Sequence, residues 1–167
     1  MALISKENQI LELFYENQNQ RFTIREIAKT AKIPRTTAQR VVESLKKQGL
    51  INKENSVNEN LLFKTKKINF FIEKIVFSGL IEELINKLNP SCIILFGSVR
   101  KGESIKESDI DLFVESQLKK HIDLSKFEKK IGHKIQLFIE PEINKLQKNL
   151  FNNVVNGIKI YGAFNLK

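Results

Sequence analysis

Two carboxylates and a Gly-Ser turn are set at a fixed spacing in the second half of this chain. Gly97-Ser98 follows the apolar run Cys92-Ile93-Ile94-Leu95-Phe96; ten residues, Val99 to Ser108, come next; then Asp109-Ile110-Asp111 opens a second apolar run, Leu112-Phe113-Val114. In an extended strand, positions two apart point to the same face. Asp109 and Asp111 are therefore expected to aim at one point, while Ile110, Leu112 and Val114 face a core. Two convergent carboxylates supply the hard oxygen donors that Mg²⁺ takes when phosphates and water complete its shell. A glycine lets backbone approach a phosphate closely, and a serine hydroxyl with nearby N–H groups binds its oxygens. These residue types suit the holding of a nucleoside triphosphate (NTP) with Mg²⁺. A solvated surface turn would require neither the flanking apolar runs nor the paired acids.

The array Leu95-Phe96-Gly97-Ser98 … Ser108-Asp109-Ile110-Asp111-Leu112 resembles the signature of minimal nucleotidyltransferases of the DNA polymerase β superfamily. That resemblance covers roughly the second half of the chain and implies an α/β fold with a mixed sheet. It implies Asp109 and Asp111 as catalytic and metal-binding residues, Gly97, Ser98 and Lys101 as nucleotide-binding residues, and NTP and Mg²⁺ as ligands. Lys101 stands where such proteins often carry Arg, which keeps the charge but loses the planar fork.

The resemblance also implies a third acid on a neighbouring strand, and here the position falls on Gln136, in Ile135-Gln136-Leu137. Gln offers a neutral carbonyl and an amide donor, with no charge to balance a second ion. In a two-metal displacement one ion holds the triphosphate and the other activates the attacking hydroxyl. Glu140 shares the strand face of Gln136 but lies about 13 Å along it, too far to substitute. Two readings stay open: a DNA-binding regulator whose nucleotidyltransferase domain binds NTP–Mg²⁺ with impaired catalysis, or an active enzyme. The active enzyme would move a nucleoside monophosphate to a protein, nucleic acid or small molecule. By resemblance it would include antitoxin-type AMP transferases with a toxin-like protein partner.

The elements upstream read differently. Ser5 to about Asn17 carries Ile10, Leu11, Leu13 and Phe14 at amphipathic helical spacing. Thr23 followed by Glu26 is a capping-box signal, which starts a short helix that Lys32-Ile33-Pro34 breaks. A third helix is expected from Arg35 to Gln48, with Ala38, Val41, Val42 and Leu45 on one stripe and Gly49 as its stop. Leu50–Lys53 and Leu61–Lys64 read as two strands of a hairpin wing.

This half resembles a prokaryotic winged helix-turn-helix domain, so the third helix is expected to enter the major groove of double-stranded DNA. Arg35, Thr36, Gln39 and Arg40 are the candidate DNA contacts on the helix; Lys47 and Lys53, with Lys46 and Lys64, suit phosphates. From Lys29 to Lys47 there are six basic residues against one acid, and the chain's net charge of +9 also favours a polyanionic partner. A winged helix that docks on protein is the alternative.

The expected organisation is two domains: a largely helical winged helix-turn-helix (α+β) over 1–66, a connecting helical segment over 67–88, and the α/β nucleotidyltransferase domain over 89–167. The connector is expected to break at Ser78-Gly79; its apolar residues pack as core or form the seam of a homodimer. Leu118 to Lys130 reads as a peripheral helix or loop, Pro141 to Asn156 as one or two helices, and 157–162 as a closing strand. Cys92, alone among Ile and Leu, reads as a buried hydrophobe, and His121 and His133 as surface residues. No apolar stretch is long enough to span a bilayer. Met1 to Glu7 lacks a basic region followed by a long apolar run, so no signal peptide is expected and the cytoplasm follows by default.

Overall fold

The computed structural model describes residues 5–165, so Met1 to Ile4 of the leader reading lie outside the described residues. The chain divides into two compact units after Lys67.

In the first unit, helices α1 (Lys6–Glu16) and α2 (Ile24–Thr30) start where their side-chain caps dictate, and α3 (Arg35–Lys47) starts directly after Pro34 with no side-chain cap. The Ser5 side chain accepts from the Asn8 amide at 3.1 Å. The Thr23 hydroxyl accepts from Glu26 N–H while the Glu26 carboxylate accepts from Thr23 N–H at 2.7 Å, a complete capping box. Ile10, Leu11 and Phe14 of α1, Ile27 of α2, and Ala38, Val42 and Leu45 of α3 are buried together with Leu50 and Ile51. Val41 lies at the margin of its stripe, half-buried.

The wing is shorter than expected. Ile51 bridges Val57 in antiparallel pairing, and Leu61–Lys64 is not its second strand but the first turn of helix α4 (Leu61–Phe77). A short apolar run of three residues followed by a lysine fits a strand or a helix start equally well. Asn60 decides it: its side chain accepts from the Phe63 amide at 2.9 Å, an N-cap contact. Only Phe63 of that turn enters the core, and Leu61 is left 81% exposed. Lys67, further along α4, is fully buried; burial pushes its ammonium down to about 8, with Glu59 and Glu16 acting in the opposite direction.

In the second unit the end of α4 is followed by α5 (Leu80–Leu88), and the break expected at Ser78-Gly79 is present. Ser78 Oγ donates to Ile75 O at 2.7 Å and accepts from Leu80 N–H at 3.1 Å, and Gly79 takes φ +85°. Then come β1 (Cys92–Phe96), α6 (Gly97–Lys101), β2 (Ile110–Glu115), α7 (Ser125–Ile131), β3 (Ile135–Glu140), a 3₁₀ turn (Ile143–Lys145), α8 (Lys148–Val155) and β4 (Ile158–Gly162).

The strands form one mixed sheet in the order β3-β2-β1-β4. β1 is antiparallel to both neighbours, and β2 is parallel to β3. Alternation then assigns the faces. Ile93 and Leu95 of β1 and Ile110, Leu112 and Val114 of β2 are buried on one face. On the other, Cys92, Ile94, Phe96 and Phe113 cluster with Ile143 and Val154, and Phe138 packs beside them. Cys92 is accordingly inert, its thiol pushed up to about 11 by burial. No described helix is long and apolar enough to cross a membrane.

Candidate functional site

Strand register decides which side chains can meet. Asp111 lies opposite Phe96 of β1 on one side and Gln136 of β3 on the other. All three share the face that carries Phe113 and Phe138, so the polar group stands at the strand end where the phenylalanine layer stops. The Phe96 and Phe138 rings contact each other at 5.4 Å between centroids on the same sheet face.

β1 ends at Phe96, and Gly97, which takes φ +72°, opens the five-residue α6. A Cβ at Gly97 would sit 1.9 Å from Asp111 Oδ2 and 2.9 Å from its Cγ. Absence of a side chain there leaves the space the Asp111 carboxylate occupies. Ser98 is half-buried on the first turn of α6, and its carbonyl accepts from Glu103 N–H at 3.0 Å. Lys101 ends α6 exposed, a full helical turn past Gly97, so it reaches the site only through its flexible stem.

Asp109 stands just before β2. Its Oδ2 accepts a hydrogen bond from Gln136 Nε2 at 2.8 Å. Burial, and then the charge of Asp109, holds the Asp111 carboxyl above the ordinary carboxylate range. The charge of Asp109 thus acts on Asp111, although Asp109 itself stands outside the strand. Among the described residues no group of three His, Cys, Asp or Glu side chains is placed to hold a metal. The third position is filled by an amide that presents its donor to Asp109. A pair of hard carboxylate donors nonetheless fits one Mg²⁺ whose other ligands are phosphate and water. Glu140, at the far end of β3 beside Glu115, pairs with Lys119 at 3.4 Å and takes no part.

One residue is placed differently from its sequence reading. His121 is exposed, but His133 is only 4% exposed. Its Nδ1 lies 2.8 Å from the Ser108 carbonyl oxygen, and its ring stands edge-on to Phe71 of α4 at 5.2 Å. No spacing in the sequence signals this, because burial is made by a helix far away along the chain.

In the first unit, Arg35, Thr36, Gln39, Arg40 and Lys47 are exposed along α3, opposite buried Ala38, Val42 and Leu45. Lys53 is exposed at the tip between Ile51 and Val57. Asn52 organises that tip, accepting from the amides of Glu54 at 3.0 Å and Ser56 at 3.1 Å. Arg21 forms an exposed ion pair with Glu54 of that tip at 2.6 Å.

Residues 17–69 match the family model described as sugar-specific transcriptional regulator TrmB, a winged-helix DNA-binding type. Residues 79–163 match the family model described as polymerase beta, nucleotidyltransferase. Comparison with curated proteins and with solved structures gives no match.

Proposed function

The chain belongs to the polymerase beta nucleotidyltransferase family, and from that premise we propose that it is a DNA-binding, regulator-type protein whose second unit binds a nucleoside triphosphate with Mg²⁺ and transfers its nucleoside monophosphate poorly, pyrophosphate being the leaving group. The observation that carries this reading is the Gln136 hydrogen bond to Asp109 beside the Asp109/Asp111 pair. Asp109 and Asp111 would hold the ion, which supplies charge neutralisation for the phosphates when bound. Gly97 leaves the room in which Asp111 stands, and Ser98 at the head of α6 offers a hydroxyl to a phosphate oxygen. Lys101 adds a flexible positive charge. Gln136 orients Asp109 but accepts no proton at neutral pH, so a hydroxyl acceptor finds no third carboxylate to activate it.

Binding of MgATP and MgGTP to the full chain, by calorimetry, tests this. Asp111→Asn keeps the shape but removes the charge, and binding is expected to fall by more than about tenfold, since charge-assisted contacts are worth about 1.5–3 kcal/mol. Wild-type binding without incorporation of label from α-labelled ATP into protein or nucleic acid supports the reading. Incorporation that disappears in Asp111→Asn would establish the transferase instead, including one that modifies a protein partner.

The exposed face of α3 carries the DNA half of the proposal, with Arg35, Thr36, Gln39 and Arg40 toward bases and Lys47 and Lys53 toward phosphates. Arg40→Ala is expected to cost about 1–3 kcal/mol of affinity for a duplex from upstream of the protein's own coding sequence, with the salt slope kept. A slope lowered by about one would reassign Arg40 to a phosphate. Unchanged affinity would remove it from the interface.

A further inference from the structure

We infer that His133 is a positioning residue for Asp109, fixing the direction in which that carboxylate leaves the backbone; the inference rests on the nucleotide–Mg²⁺ reading of the site. The Cα–Cβ direction of a residue is set by the two peptide planes that flank it. The Ser108 carbonyl belongs to the plane before Asp109, and His133 Nδ1 lies 2.8 Å from its oxygen. The Ile110 N–H belongs to the plane after Asp109 and donates to Lys134 O at 2.8 Å. Gln136 Nε2 then donates to Asp109 Oδ2 at 2.8 Å. Three positions at the entry to β3 thus secure the backbone before the acid, the backbone after it, and the carboxylate itself.

The role of the imidazole follows from its partner. A carbonyl oxygen only accepts, so Nδ1 carries the proton and donates. The ring packs nearly perpendicular to that of Phe71, 5.2 Å between centroids. Around it, Lys74 Nζ donates to Ile131 O and Lys130 Nζ donates to Ser78 O, both at 2.9 Å, joining the end of α4 to the turn that bears His133. Lys134 O comes from the β2–β3 ladder and survives any side-chain change. The hold on the Ser108 peptide comes from a side chain and is removable by mutation.

Two variants of the full chain separate positioning from packing. His133→Phe keeps an aromatic ring against Phe71 and loses the N–H. His133→Asn loses the ring but carries an amide N–H as many bonds from the backbone as Nδ1. With calorimetry on MgATP and MgGTP, His133→Phe is expected to weaken binding about three- to tenfold, the span of one net hydrogen bond. His133→Asn is expected to recover most of that loss even where it melts lower than His133→Phe. A purely structural role would make affinity follow melting temperature instead. Wild-type affinity in His133→Phe, or equal weakness in both variants, overturns the inference. Should the wild type bind neither nucleotide, the nucleotide reading fails by itself, and amide exchange decides His133. Faster exchange at Asp109 and Ile110 in His133→Phe than in His133→Asn supports it, and unchanged exchange overturns it.

Discussion

Gly97→Val is expected to abolish MgATP binding, a loss of more than about a hundredfold, equivalent to roughly 2.7 kcal/mol. Two penalties act at once. Gly97 sits at φ +72°, where a non-glycine residue costs about 1–2 kcal/mol and a β-branched one more. Its new Cβ would also lie 1.9 Å from Asp111 Oδ2, and the carbons behind that oxygen, at 2.9 and 3.2 Å, leave no path for a small adjustment. Asp111 is paired in register with both Phe96 and Gln136, so the β2 backbone cannot retreat without breaking two ladders. Relief must come from moving the carboxylate or unwinding α6, and either dismantles the site. DNA affinity of the first unit is expected to stay at the wild-type value, which distinguishes local damage from misfolding. Retained MgATP binding in a variant that still binds DNA would mean that the Gly97 turn is not where the phosphates lie.

What could be read from the sequence is what short-range physics decides. The Thr23/Glu26 box, the α3 stripe, the Ser78-Gly79 break and the apolar runs of β1 and β2 each need only a few neighbouring residues, and each appears in place. Strand alternation places Asp111 on the face of Phe113, but Asp109 lies outside β2 and is tied to that side by the Gln136 hydrogen bond. Leu61–Lys64 was not decidable that way, because its helical state comes from the Asn60 cap and from the run of Phe63, Phe70, Phe71 and Ile75 behind it. His133 was less legible still. Nothing in Gly132-His133-Lys134 separates a solvated imidazole from one enclosed by Phe71 and turned toward Ser108. The Gln136 position could be found by resemblance, but its use as a donor to Asp109 needed the β2–β3 register.

The same register makes Gln136→Asp the variant with the second-largest expected effect, a stability that depends on divalent ions. In the wild type the amide neutralises part of the demand of Asp109 by donating to Oδ2. Aspartate removes that donor and sets a third negative charge opposite Asp111, whose carboxyl burial and Asp109 already hold above the ordinary range. Position 136 is exposed, so solvent screens the repulsion, and a cost on the order of 1 kcal/mol is expected without metal. That corresponds to a melting temperature in EDTA lower than wild type by about 4–8 °C. Mg²⁺ or Mn²⁺ is expected to close the gap, because an ion that binds only the folded site stabilises it by mass action. The pH dependence has a definite sign. Carboxyls whose folded values are raised weaken the fold as pH rises through those values and cost nothing below their unfolded value near about 4. The EDTA deficit of Gln136→Asp is therefore expected to shrink as pH falls toward about 4 and to be largest at neutrality. Where the missing acid is what limits transfer, incorporation of label from α-labelled ATP rises above wild type in the same variant. Equal melting in EDTA and Mg²⁺ at neutral pH would show that position 136 does not face an ion, and the account of Gln136 as the replaced third acid would then fall.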